Sequence, residues 1–162
     1  VLLVIGGASG AAGDAEVQRL HALVDQLGVR GQVRFIEAQP HHALSTYYRA
    51  ADVCLVPSRA ESFGLVALEA AACGTPVVAA AVGGLRTLVE HGETGFLIDS
   101  RDPIVYARHI ETVLSSPAYA HTLSRNAAQL ASGYTWSITA ARLRRLYSDL
   151  SRREPVNCVG RR

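Results

Sequence analysis

Short apolar runs rich in β-branched residues alternate with stretches of helical periodicity over residues 1–98. Residues 1–5 predict a buried strand that ends at Gly6 and Gly7. Residues 16–27 set Val17, Leu20, Leu23, Val24 and Leu27 on one helical stripe, which Gly28 closes. A second strand is predicted at 33–36, then a short helix at 42–51 with Leu44, Tyr47 and Tyr48 on its inner face. The third strand, 53–56, stops at Pro57 and Ser58. A helix of small residues over 65–73 ends at Gly74, and Pro76 keeps it from continuing. A strand at 77–80, the turn Gly83-Gly84, a helix at 85–90 and a strand at 95–98 complete the alternation. Beyond Pro103 the strand signals stop, and helices are predicted near 103–115, 118–131 and 137–152.

Apolar strands separated by helices imply a parallel sheet covered on both faces. The fold class is α/β, a Rossmann-like doubly wound parallel sheet with a helical C-terminal extension. The expected organisation is a sheet-and-helix domain over 1–115, helices packing on it over 116–152, and a basic tail over 153–162 that is expected to lack order. Ligands of such sheets bind beyond the carboxyl ends of the strands. Those ends are segments 6–13, 37–41, 57–63, 81–84 and 99–102.

Composition narrows the chemistry. All 16 basic residues are Arg, so a Walker-type phosphate loop and Schiff-base catalysis are excluded. The 14 acidic residues nearly balance them, which gives no reason to expect a nucleic-acid partner. Cys54, Cys73 and Cys158 share no metal-ligand spacing and cannot all pair, which points to a reducing, cytoplasmic setting. No apolar run approaches the roughly 18 residues that span a bilayer. The chain lacks Met even at its first position and is expected to have been cut or processed. Seven Arg against Asp149 and Glu154 make residues 142–162 basic. A solvated helix and tail account for this; contact with another domain or with an anionic membrane is the other reading.

The glycine-rich segment 6–13 follows a strand as a dinucleotide loop does. A short-chain dehydrogenase would need a Tyr-x-x-x-Lys pair, which a chain without lysine lacks, and Glu37 is too distant for the acidic ribose ligand. His41 and His42 are adjacent, so their side chains diverge, and no metal site is expected there. Cys73 is read as packing, and Trp136 with Tyr134 as the anchor of the last helix on the core.

Segment 57–69 carries more chemistry. Ser62 is read as a helix N-cap, which leaves the amides of Phe63, Gly64 and Leu65 as unpaired first-turn donors. Such an end favours an anion, and Gly64 allows a ligand close to the backbone. Glu61 precedes the helix and Glu69 lies two turns inside it, on the order of 10 Å apart along the axis. That span suits a nucleotide-diphosphate sugar: diphosphate on the helix end, a carboxylate for hydroxyls at either extremity. Alternatively, Glu61 is a surface loop residue and Glu69 a solvent-facing one. Against the latter, Glu69 sits among Ala67, Leu68, Ala70, Ala71 and Ala72, and a buried carboxylate needs a partner.

Glu-Ser-Phe-Gly-Leu-Val-Ala-Leu-Glu (61–69), Ala-Cys-Gly-Thr-Pro-Val-Val-Ala (72–79) and Gly-Glu-Thr-Gly-Phe-Leu-Ile (92–98) resemble the C-terminal, donor-binding half of retaining GT-B glycosyltransferases. The family is the Glu-x7-Glu type, glycosyltransferase group 1, and the resemblance covers about residues 1–150. Gly-Gly-Ala-Ser-Gly (6–10), Tyr-Arg-Ala-Ala-Asp (48–52) and Ala-Ala-Ala-Val-Gly-Gly-Leu (79–85) are similar to the branch that transfers N-acetylglucosamine to inositol phosphate in mycothiol synthesis. The resemblance implies that Glu61 holds donor-sugar hydroxyls as the catalytic-site acid and that Glu69 holds the ribose. Ser62, Phe63, Gly64 and Leu65 would meet diphosphate and sugar, Gln39 and Pro40 the base, and Gly6 and Gly7 would line the nucleotide cleft. It implies no obligatory metal or cofactor, a UDP-sugar as the expected co-substrate, and transfer of a hexosyl or N-acetylhexosaminyl group to a hydroxyl, with inositol phosphate a candidate acceptor. The glutamates would position the donor and support an oxocarbenium-like state electrostatically.

Two departures qualify the resemblance. Family members open this domain with a further strand, between those at 1–5 and 53–56, and a Gly-Arg…Lys segment that neutralises the diphosphate. Neither is in this chain, nor is the N-terminal domain that binds the acceptor. The chain alone is therefore expected to be inactive or nearly so, part of an enzyme; the alternative is a truncated or degenerate, catalytically inactive relative. Arg86-Thr87 also stands where many relatives have Pro-Glu.

Overall fold

A computed structural model describes residues 1–8 and 13–152. Residues 9–12 of the glycine-rich segment, the basic tail over 153–162 and Cys158 lie outside the described residues. The elements are β1 (Leu2–Ile5), α1 (Gly13–Gln26), β2 (Val33–Ile36), α2 (His41–Ala50), β3 (Cys54–Val56), α3 (Leu65–Ala72), β4 (Val77–Ala80), α4 (Leu85–Leu88), β5 (Gly95–Ile98), α5 (Pro103–Ser115), α6 (Pro117–Ala131) and α7 (Trp136–Arg152). A 3-10 turn at Arg30–Gln32, which the sequence pattern does not announce, leads into β2. The elements fall into two compact units, Val1–Tyr47 and Tyr48–Arg162.

In the first unit β1 and β2 pair in parallel, from Leu2 opposite Val33 to Ile5 opposite Ile36. The Gly6 amide extends the pairing by donating to the Ile36 carbonyl at 3.0 Å. β1 is not the buried strand its sequence predicts: Leu2 is 50% and Leu3 38% exposed. Among the described residues β1 pairs only with β2, and its first two side chains stay exposed although both residues are in the ladder. On α1 the half-buried positions are Val17, Leu20, His21 and Val24, a spacing of three, four and seven, whereas Leu23 and Leu27 face solvent. His21 takes the place of an apolar residue by stacking on Phe35 of β2, with ring centroids 3.9 Å apart. Gly28, at φ +67°, ends the helix as expected.

In the second unit the strands pair in parallel in the order β3-β4-β5. β1 and β3, the strands that the resemblance sets on either side of a further one, thus belong to different ladders. Every residue of β4 is buried, and its side chains alternate between two cores. Val77 and Ala79 pack with Val56, Ala67, Ala70, Leu85 and Val89. Val78 packs on the other face with Phe96, Ile98, Tyr106, Val113 and Leu123. Each fully buried aliphatic side chain contributes about 1.5–3 kcal/mol by leaving water.

Helix α3 is positioned by its alanines. Ala67, Ala70 and Ala71 form a buried stripe of three-four spacing, and Ala71 packs against Ala127 and Ala131 of α6. Its end follows the sequence expectation in detail. Gly74 takes φ +76°, the Thr75 amide donates to the Ala70 carbonyl, and the Gly74 amide to the Ala71 carbonyl, both at 2.9 Å. Helices α5 and α6 begin with Pro103 and Pro117, and Asp102 caps α5 by accepting from the Ile104 amide at 2.9 Å. Trp136 does not anchor the last helix, being 88% exposed at the first position of α7. Tyr134 alone meets the body of the unit, edge-on against Phe63. Among the described residues, no helix is long and apolar enough to cross a membrane.

Candidate donor-binding site

The site is built on the passage from β3 into α3. Val56 is buried in the core, and the chain then leaves the sheet at Pro57 and re-enters regular structure at Leu65. Along this passage Glu61 is half-buried, whereas Ser62, Phe63 and Leu65 are exposed. Glu61 and Phe63 are therefore open to a ligand at the carboxyl edge of the sheet, as the sequence pattern implies.

The helix starts at Leu65 as expected, but its cap is not the expected one. Its N-cap is Gly64 and not Ser62, and no side chain caps it. The Leu68 amide donates to the Gly64 carbonyl at 3.1 Å, so the first-turn amides without an intrahelical acceptor are those of Leu65, Val66 and Ala67. The cause is tertiary. Gly64 has φ +100°, and a Cβ there would lie 2.8 Å from Leu85 Cδ2 and 3.2 Å from Leu88 Cδ1. Helix α4 therefore packs against the backbone at Gly64, whose left-handed φ keeps it out of the helix and favours glycine there.

Gly83 and Gly84 support the same loop. The Gly84 amide donates to the Glu61 carbonyl at 3.2 Å. A Cβ on Gly83 would overlap that carbonyl oxygen, and one on Gly84 would lie 2.6 Å from Phe63 Cα. The two glycines let the Glu61–Phe63 backbone lie directly against the β4–α4 turn. The sequence marked them as a turn; that they carry the Glu61 loop was not legible there. Arg86, one of the positions that departs from relatives, lies 3.8 Å from the carboxylate of Asp99 with both side chains exposed.

Glu69 stands on the second turn of α3, half-buried. Its carboxylate has the partner that the sequence argument required: the Tyr48 hydroxyl donates to Glu69 Oε2 at 2.9 Å. Tyr48 is itself fixed by the buried Thr75, whose hydroxyl donates to the Tyr48 carbonyl at 2.6 Å. Burial, reinforced by the hydrogen bond and charge of Glu69, raises the Tyr48 phenol well above its ordinary value. Burial, with the Glu69 charge second, pushes the Cys54 thiol up to about 11. Both groups thus stay neutral beside the carboxylate near pH 7. Tyr48, the partner of Glu69, was placed by the sequence on an inner helix face and in the motif over 48–52, but neither signal named Glu69 as what it meets.

The remaining predicted positions lie in the first unit. Gly6 and Gly7 are exposed at the end of β1, with Gly6 at φ +140° and nothing within 4 Å of either α-carbon's open side. Gln39 is half-buried and turns back to donate from Nε2 to the Glu37 carbonyl at 3.0 Å, and exposed Pro40 precedes α2. Both pairs occupy carboxyl ends of strands, β1 and β2.

Comparison with known proteins bears on this arrangement. The family described as "Glycosyl transferases group 1" matches residues 1–130. The chain is 49% identical over 144 residues to the D-inositol 3-phosphate glycosyltransferase of Frankia alni, covering 89% of this chain and 35% of that protein. It is 42% identical over 160 residues to the enzyme of the same name from Corynebacterium diphtheriae, covering 99% of this chain and 37% of that one. Among solved structures, sucrose-phosphate synthase from Thermosynechococcus elongatus superposes with a TM-score of 0.85 at 41% identity, covering 93% of this chain and 38% of that one. The Anabaena protein HepE, solved in complex with UDP and glucose, superposes with a TM-score of 0.82 at 31% identity, covering 90% of this chain and 40% of that one. The chain thus spans about a third of the length of the curated relatives it matches. Parallel strands flanked by helices, the helical extension and these GT-B neighbours agree with the α/β Rossmann-like class. The chain belongs to the group 1 glycosyltransferase family.

Proposed function

We propose that this chain is the donor-binding part of a retaining glycosyltransferase that uses a nucleotide-diphosphate sugar, with uridine as the base. The carrying observation is the Tyr48–Glu69 hydrogen bond, which holds a half-buried carboxylate on the helix that follows Glu61. In this reading Glu69 accepts from the ribose hydroxyls and Glu61 from hydroxyls of the donor sugar. The diphosphate rests at the start of α3, where the free amides of Leu65, Val66 and Ala67 and the helix dipole favour an anion. Gly6, Gly7, Gln39 and Pro40 belong to the other unit and are the candidates for the nucleotide that the resemblance names. The UDP and glucose in the HepE structure support the donor class.

As the glycosidic bond breaks, negative charge gathers on the leaving diphosphate and positive charge on the sugar. Donors already aimed at the diphosphate and a carboxylate near the sugar favour that separation without reorganising. The acceptor hydroxyl attacks the face that the diphosphate vacates, so configuration is retained. The relatives named for inositol 3-phosphate make an inositol phosphate the proposed acceptor, bound by a domain N-terminal to this one, and a hexosyl or N-acetylhexosaminyl group the proposed cargo.

Titration calorimetry of the complete protein with UDP and with UDP-sugars tests the reading. Glu69→Gln is expected to weaken both ligands, because both carry the ribose. Glu61→Gln is expected to weaken only the UDP-sugar. Unchanged affinities in both variants would refute the assignment.

A further inference from the structure

The loop that bears Glu61 is held at two places. Under Glu61 and Phe63 lies the glycine turn already described. At the other end, Arg101 reaches from the β5–α5 connection and spans two consecutive carbonyls. Its Nη1 donates to the Ser58 carbonyl at 3.0 Å and its Nη2 to the Arg59 carbonyl at 3.2 Å. The planar fork of a guanidinium is suited to two adjacent acceptors in a way that an ammonium is not. Arg101 is rigidly based, since it immediately precedes the capped start of α5, where the Asp102 amide donates to Ser100 Oγ at 3.1 Å. Only Ala60 separates the Arg101 anchor from Glu61, which the glycine turn grips.

We infer that Arg101 is a positioning residue for the donor sugar: it fixes the backbone that aims the Glu61 carboxylate without itself touching the donor. This rests on the donor-binding reading above. Arg101 is exposed, so its hydrogen bonds compete with water and contribute little to global stability. Freeing the loop start leaves the Glu69 end of the site intact, because Glu69 is held by Tyr48 from a different helix. The consequence falls on the sugar and spares the nucleotide.

The test is calorimetric binding of UDP and of the UDP-sugar to the complete protein, as wild type, Arg101→Ala, Arg101→Lys, Glu61→Gln and the Arg101→Ala/Glu61→Gln double variant. Arg101→Ala is expected to weaken the UDP-sugar about tenfold and to leave UDP within about twofold, on the scale of a charged hydrogen bond. Arg101→Lys should recover only part of the loss, and free guanidinium should recover part of it in Arg101→Ala. In the Glu61→Gln background Arg101→Ala should add almost nothing, since both changes remove one interaction. Equal weakening of UDP and UDP-sugar, or additive losses in the double variant, would overturn the inference. Wild type that binds neither ligand would instead overturn the donor reading on which it rests.

Discussion

The phenol of Tyr48 and the carboxylate of Glu69, 21 residues apart in sequence, meet at 2.9 Å across α2 and α3. A carboxylate in a helix otherwise made of apolar residues is costly to bury unless it is partnered, and this pairing supplies a partner. One oxygen is oriented by Tyr48, which leaves the group pre-aimed. Tyr48→Phe keeps the ring and removes the donor. About 1 kcal/mol of orientation is lost for a half-buried charged hydrogen bond. UDP and UDP-sugar should both bind about three- to tenfold more weakly, with the melting temperature little changed. Wild-type affinities in Tyr48→Phe would show that Glu69 needs no such aim.

Thr75 secures the pair from below. It is 2% exposed and donates to the Tyr48 carbonyl. Thr75→Val preserves shape but removes one of two donors to that carbonyl, which keeps the Ala51 amide at 3.1 Å, so the cost is about 0.5–1.5 kcal/mol. Urea denaturation should register this as a lower midpoint with an unchanged slope.

Gly83 tests the close backbone approach. Alanine there meets both a φ of +46° and the Glu61 carbonyl. Overpacking and left-handed strain together should lower stability by about 2–4 kcal/mol. The surviving folded protein should bind the UDP-sugar poorly. Serine at position 62, in contrast, caps nothing, so Ser62→Ala should leave the unfolding midpoint within about 0.5 kcal/mol of wild type.

Cys54 predicts an alkaline effect. Its folded-state value, about 11, lies above the ordinary 9.0. The neutral thiol is favoured in the folded protein, so its contribution is complete below pH 9.0 and is lost as pH rises toward about 11. Tyr48, raised in the same direction, adds a loss that begins near pH 10. Stability measured from pH 8 to 11 should therefore fall, and Cys54→Ala should flatten the slope between 9 and 11. At pH 7.5 the Cys54 thiol should react slowly with iodoacetamide.

The sequence alone determined the local frame. The bounds of β2, β4, β5 and α5, the inward face of α2, and the Gly74 end of α3 all follow from patterns contained within a turn or a strand length. The Glu61–Glu69 segment could be singled out as a candidate for the same reason, since it lies within nine consecutive residues. Tertiary structure decided what depends on packing across the chain. Gly64 takes a left-handed φ against Leu85 and Leu88 of α4, and the cap falls there and not on Ser62. Leu2 and Leu3 of an apolar strand lie exposed, and Trp136 lies outside the core on which it was expected to anchor the last helix. Tyr48 on Glu69, the glycine turn beneath Glu61 and Arg101 on the Ser58 and Arg59 carbonyls join residues about 20 to 40 positions apart. No local propensity encodes such meetings, because they arise only when separate elements have been packed against one another.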